Sequence, residues 1–242
     1  MERKTVSDHL IDRISKDGVD TIFGVTGGGI MHLVDSISRS KNIKLICTHH
    51  EEFAGVAADG YARTGKPYGV AIGTTGPGAA HLFTAIAAAW QDSSPVLFIV
   101  GQVKTEDSLN IQNLTVRQNG TFEFDTTKAF ATIAKKVLIL EKSKEAPERI
   151  EQAIRLMQEG RPGPVVIEIP LDIQGEEVEN DKDKRQLEKT SDQTEIDITT
   201  AKNSILTALK KAKRPLVLLG IGCIRSRVNH QIEFNMTPAW RK

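Results

Sequence analysis

Residues 68–101 read YGVAIGTTGPGAAHLFTAIAAAWQDSSPVLFIVG. An apolar run of strand length comes first. It turns on Gly73-Thr-Thr-Gly-Pro-Gly78, passes into alanine-rich sequence as far as Trp90, and ends on a second uninterrupted apolar run. A strand covered on both faces has no polar side to show. Continuous apolar runs separated by a helix of crossover length therefore indicate parallel strands in one sheet. The stretch predicts a strand over 68–74, one helix from the turn through Trp90, and a strand over 95–101.

The same alternation extends both ways. Thr5 and Asp8 can cap a helix carrying Val6, Leu10, Ile11 and Ile14 at helical spacing. A strand is expected over 21–25 (TIFGV), then Gly27-Gly28-Gly29 and a helix over 30–38, a strand over 44–48, and a helix rich in small residues over 51–64. Residues 102–130 mix their signals and predict a long loop with a helical piece. Beyond them come a strand over 137–140, a helix opened by Pro147 with Ile150, Ala153, Ile154 and Met157 on one side, its stop at Gly160, and a last strand over 164–169. The fold class is α/β, a parallel sheet with helices on both faces. Ligands of such sheets bind in the crevice beyond the strands' carboxyl ends, where the glycine turns after Val25 and Thr74 fall.

From residue 176 the character changes. EEVENDKDKRQLEKTSDQTEID (176–197) is charged and nearly devoid of core residues, so it reads as a linker. A helix over 200–213 and a strand within RPLVLLGIG (214–222) open another α/β unit. The expected division is a domain over 1–175, a linker over 176–199, and the incomplete start of a second domain over 200–242, since about forty residues do not make a core of their own.

The formal net charge is +1 and aromatic residues make up 5% of the chain. Neither a basic stripe nor a stacking platform is present, which argues against nucleic-acid and membrane-surface partners. Cys47 and Cys223 form neither a disulfide framework nor a zinc pattern. With no apolar run of about 18 residues and a polar amino terminus, a soluble protein in a reducing, cytoplasmic setting is expected.

Several segments can carry chemistry. In HHEEFAGVAADGYAR (49–63), Glu51, Ala54, Gly55, Ala58 and Ala62 share one helix face. A carboxyl beside a stripe of the smallest side chains can be approached closely by something flat, and burial would let it share a proton. The same spacing equally describes a solvated first-turn acid above a tight helix contact. The turns at 24–29 and 73–78 can each present free backbone N–H groups to an acceptor, or simply join strand to helix. Neither is a GxGxxG or a P-loop, and Gly220-Ile-Gly222 lacks a third glycine. His49, His50 and His81 lack the spacing of a zinc set and read as surface or supporting residues. Cys47, flanked by apolar residues in a strand, reads as core filler rather than nucleophile.

Taken together and in order, these motifs resemble the acetolactate synthase family of thiamine-diphosphate enzymes. The matching segments are Phe23–Gly28, His50-Glu51 with Ala57–Arg63, Gly73–Gly78, Asp92–Pro95, Gly101-Gln102 and Arg161–Val165. The resemblance covers residues 1 to about 175 and continues weakly over 200–222. It implies that Glu51 hydrogen-bonds N1′ of the cofactor's aminopyrimidine and activates it. It further implies that Gly27, Gly28, Thr75, Gly76, Pro77, Gly78 and His81 line the cofactor. The implied reaction is decarboxylation or carboligation of a 2-keto acid such as pyruvate, with the thiazolium as electron sink, in a homodimer or larger assembly. Thr26, His81, Phe122 and Leu171 depart from the family's usual proline, asparagine, glutamine and lysine.

The family holds Mg2+ and the diphosphate in a domain marked by Gly-Asp-Gly, a tripeptide that occurs nowhere in these 242 residues. The expectation is therefore a truncated chain whose metal is supplied elsewhere. Two alternatives to an enzyme complete in itself stay open: a non-catalytic remnant, or one subunit of a split enzyme whose partner chain carries the diphosphate domain. A generic nucleotide-binding module is a third reading, and flavin (FAD) binding is left open.

Overall fold

The computed structural model describes residues 4–178 and 198–216, with residues 220 and 222. They fall in two compact units, Met1–Lys184 and Arg185–Lys242.

In the first unit α1 (Val6–Lys16) opens on a full capping box, in which the Thr5 hydroxyl accepts from the Asp8 N–H while the Asp8 carboxylate accepts from the Thr5 N–H. There follow β1 (Thr21–Gly24), α2 (Met31–Arg39), β2 (Lys44–Cys47), α3 (Glu51–Arg63), β3 (Gly69–Gly73), α4 (Pro77–Ala80), α5 (Phe83–Asp92) and β4 (Val96–Gln102). Then come α6 (Leu109–Gln112), α7 (Thr126–Phe130), β5 (Lys136–Ile139), α8 (Ala146–Gln158), β6 (Val165–Pro170) and α9 (Leu171–Gly175). The strands pair in the order β2-β1-β3-β4-β6-β5, each neighbour parallel. This is the α/β sheet that residues 68–101 predict.

Side chains alternate along each strand, so the sheet feeds two cores. Val70, Ile72, Leu97, Ile99, Val165 and Ile167 meet α1, α2 and α8 on one face. Ala71, Val96, Phe98, Val100 and Val166 meet α3, α4, α5 and Phe130 of α7 on the other. Small residues let the second layer lie close. A Cβ on Gly69 would overlap the Ala58 carbonyl, and one on Gly55 would overlap Ala85 Cβ. Arg63 joins the ends of this layer by pairing with Asp59 one turn back and with Asp92 at the end of α5.

Two local expectations change and one element is added. The single helix from 76 to 90 is two, because at His81–Leu82 the backbone tightens to an i→i−3 bond (Leu82 N–H to Ala79 O, 3.1 Å) before α5 begins. Cys47 is not core filler: β2 is an edge strand with one neighbour, and both Cys47 and Ile46 are exposed. Residues 171–175, to which the sequence reading assigned no element, form α9, whose Gln174 is fully buried. Beyond it Glu176 and Val178 bond back to Val6 and Lys4, so the first residues of the expected linker lie beside the amino terminus.

The rest of that linker, 179–197, and most of the strand expected within 214–222 lie outside the described residues. In the second unit α10 (Ile198–Lys211) covers most of the helix expected over 200–213. Among the described residues no helix is long and apolar enough to cross a membrane.

Candidate functional site

The strand order determines where a site can form. From β1 the chain steps to β2 on one side, and β3 then lies on the other side of β1. The loops leaving β1 and β3 therefore diverge around a crevice at their carboxyl ends, the switch point of an open parallel sheet. Both glycine turns are here and they touch. The Thr74 hydroxyl accepts from the Gly29 N–H at 3.0 Å, and a Cβ at Gly27 would come within 2.6 Å of Thr74 Cβ. The loop is held from behind by Gln174, which donates to the Gly29 carbonyl at 2.7 Å, and by Gly101, where a Cβ would overlap that same carbonyl. Gln174 carried no motif and was invisible in the sequence, since its role depends on α9.

Glu51 begins α3 at this crevice. His50 is the N-cap, its Nδ1 accepting from the Glu52 N–H at 3.2 Å. Glu51 is 8% exposed, which excludes the solvated first-turn acid, and Ala54, Gly55 and Ala58 on the same face are buried with it. Its two oxygens face different neighbours. Oε2 lies 2.9 Å from His81 Nδ1. Oε1 faces Gly78, where a Cβ would stand 3.0 Å away. A Cβ there would also come within 2.6 Å of Thr74 Cγ2, so only glycine fits between Thr74 and Oε1.

Gly76 holds this turn in a left-handed conformation, φ 64°. A Cβ there would overlap the Phe122 carbonyl, so the loop before α7 crosses the turn at Phe122. The Phe122 side chain is 66% exposed and presents an apolar surface where the sequence comparison had expected a glutamine.

The expected residues thus fall into one neighbourhood: Gly27 and Gly28 in one turn, Thr75, Gly76, Pro77 and Gly78 in the other, and Glu51 with His81 beside the second. Spacing alone did not bring the histidines together. His50 and His81 stack at 4.3 Å, and His50, Glu51 and His81 offer ligand atoms within 4.8 Å of one another. His49 stays exposed and outside this group.

The family model described as "Thiamine pyrophosphate enzyme, N-terminal TPP binding domain" matches residues 4–129, more than half of the chain. The chain belongs to this family. A probable acetolactate synthase large subunit of Methanococcus aeolicus is 35% identical over 231 residues, covering 93% of this chain and 37% of its own length. The acetolactate synthase isozyme 1 large subunit of Escherichia coli is 34% identical over 229 residues, with 93% and 38% covered. The acetolactate synthase large subunit of Lactococcus lactis subsp. lactis is 32% identical over 223 residues, with 92% and 37% covered. The chain spans a little over a third of the length of these relatives. In this thiamine pyrophosphate enzyme domain the matched segment holds β1 to β4 and every residue of the crevice named above except the supporting Gln174.

Thiamine diphosphate carries a flat aminopyrimidine with a basic ring nitrogen. The crevice fits that half of it. It offers one buried carboxylate with an oxygen facing glycine, backbone free of Cβ atoms on the neighbouring turn, and an apolar Phe122 at the rim. A metal and a diphosphate need hard oxygen ligands in number. Glu51 is the sole carboxylate in the group of three side chains close enough to share an ion among the described residues, and its partners there are histidines.

Proposed function

We propose that this chain supplies the aminopyrimidine half of a thiamine-diphosphate site, in an enzyme that decarboxylates or joins 2-keto acids such as pyruvate in the manner of acetolactate synthases. The observation that carries the reading is Glu51: a buried carboxylate at the switch point, with Oε1 facing Gly78.

When bound, the cofactor supplies an electron sink for cleavage next to a carbonyl. The chain's own residues do the rest. Glu51 Oε1 shares a proton with the ring nitrogen of the pyrimidine. The Gly76–Gly78 turn and the Gly27–Gly28 loop admit the ring edge, and Phe122 covers it from the loop side. The diphosphate and Mg2+ belong to a second domain, in the same or a partner chain, and the active form is at least a dimer. The relatives' names and the chain's match to little more than a third of their length support this division of labour.

The test is calorimetric titration of thiamine diphosphate with Mg2+ into the wild-type chain and into Glu51→Gln, beside a pyruvate decarboxylation assay. A hydrogen bond to a charged group contributes about 1.5–3 kcal/mol, so Glu51→Gln is expected to weaken binding on the order of 10- to 100-fold. It should also abolish any turnover. Equal affinity in the two proteins overturns the assignment of Glu51.

A further inference from the structure

His81 stands 30 residues from Glu51 in sequence, yet its Nδ1 and the Glu51 Oε2 are 2.9 Å apart. The pair spans the protein surface, since the Glu51 side chain is 10% exposed and that of His81 47%. One end of the contact is inside and the other is in water. A carboxylate only accepts, so the contact places a proton on Nδ1. The backbone holds His81 from below, its N–H donating to the Pro77 carbonyl at 2.9 Å. From the side, His50 stacks on the ring at an interplanar angle of 29°. His50 cannot replace it, because its own Nδ1 is an acceptor for the Glu52 N–H.

We propose that His81 is a positioning residue that passes protons between solvent and the buried Glu51 carboxyl; the proposal rests on the reading of Glu51 given above. In the inward direction water delivers a proton to Nε2 of the neutral ring, and Nδ1 releases its own to Oε2. The ring ends neutral as the Nε2–H tautomer and the carboxyl ends protonated, so one proton has crossed from solvent. The reverse sequence returns it, and solvent is the only proton source needed. Oε1, which faces Gly78, takes no part in the transfer. An amide at position 81 can hold Oε2 by donating to it, but it has no second ring nitrogen through which a proton can travel.

The test uses the full chain, 15N-labelled, with thiamine as probe. Long-range correlations of the neutral rings should show His81 protonated at Nδ1 and His50 at Nε2. Glu51→Leu, which keeps the bulk and removes the acceptor, should return His81 to the Nε2–H tautomer. If Glu51→Leu does not fold, the wild-type tautomer decides alone, and an Nε2–H ring there overturns the proposal.

A second readout separates transfer from support. Exchange of the 4′-amino protons of bound thiamine with water is expected to slow about 100-fold in His81→Asn, the lower end of general acid–base effects. A residue that only supports Glu51 would change thiamine affinity and leave exchange per bound molecule alone; that result overturns the relay. Loss of thiamine binding in Glu51→Gln with an indifferent His81 ring removes this inference and keeps the function. Unchanged binding in Glu51→Gln removes both.

Discussion

Glu168 places a carboxylic acid in the middle of the sheet. It is fully buried on β6. Its Oε2 accepts from the Thr126 hydroxyl and from Gln102 Nε2 at 3.2 Å, while Oε1 has no partner among the described residues. Burial pushes this carboxyl from an ordinary 4.5 up to about 7, the two hydrogen bonds oppose the shift, and the nearby Glu123 and Asp125 add to it. No cation is among these causes. The sign follows from linkage. Below the ordinary value the group is protonated folded or unfolded and costs nothing. As pH rises from about 4.5 to about 7 the unfolded chain ionises first, so stability falls, and the full penalty, on the order of 3 kcal/mol, holds above that range. Chemical denaturation of wild type and Glu168→Gln at pH 4.5, 6 and 8 reads it directly. The wild type should lose stability across the series relative to the variant, and parallel pH profiles would refute the account. Nothing in RPGPVVIEIP flagged this residue, because one acid in an apolar strand looks the same whether it is paired, solvated or buried. The Glu51 segment was more legible: its small-residue stripe is visible in one dimension, although only the fold decides whether the stripe faces helix packing or a ligand. The fold puts Gly55 against Ala85 and Glu51 at the crevice.

At the scale of elements, α3 is the piece on which the site depends. Its glycines divide into two kinds. A Cβ on Gly55 would overlap Ala85 Cβ and lie 3.1 Å from Phe98 Cε1, whereas one on Gly60 would meet nothing within 4 Å. Gly55→Ala must push α3 from α5 and is expected to cost about 1–3 kcal/mol. Gly60→Ala, on the exposed side of the same helix, should gain up to about 1 kcal/mol. Urea midpoints of the two variants should move in opposite directions; a shift of the same sign in both would contradict the packing described. The sequence was informative about elements wherever burial is uniform, which is why the strands over 68–74, 95–101 and 164–169 fall where periodicity puts them. It misled where position in the sheet decides. Lys44–Cys47 has the apolar composition of an inner strand but lies at the edge, so Cys47 faces solvent. The helix interruption at His81–Leu82 was hidden because alanine-rich sequence suits both a continuous and a broken helix.

For the whole molecule, one topological fact organises the rest. Because all the paired strands of the sheet are parallel, the loops that follow them emerge at one end, and the reversal between β1 and β3 opens a crevice between two glycine turns that are 45 residues apart. The motifs of the thiamine pyrophosphate enzyme family are scattered along the sequence, and this arrangement makes them neighbours. The alternation of strands and helices was enough to infer the class and the end of the sheet at which to look. The strand order was not legible, nor was the support from Gln174, because both depend on contacts between residues far apart. The central claim is that the aminopyrimidine meets Glu51 in this crevice. The measurement that tests it most directly is an NMR titration of thiamine into the 15N-labelled chain, repeated on Glu51→Gln. The account predicts amide shifts concentrated at Gly27–Gly29, Glu51–Gly55 and Thr75–Gly78, saturating in the wild type and at least about 10-fold weaker in the variant. Shifts centred elsewhere, or the same curve in both proteins, would contradict it.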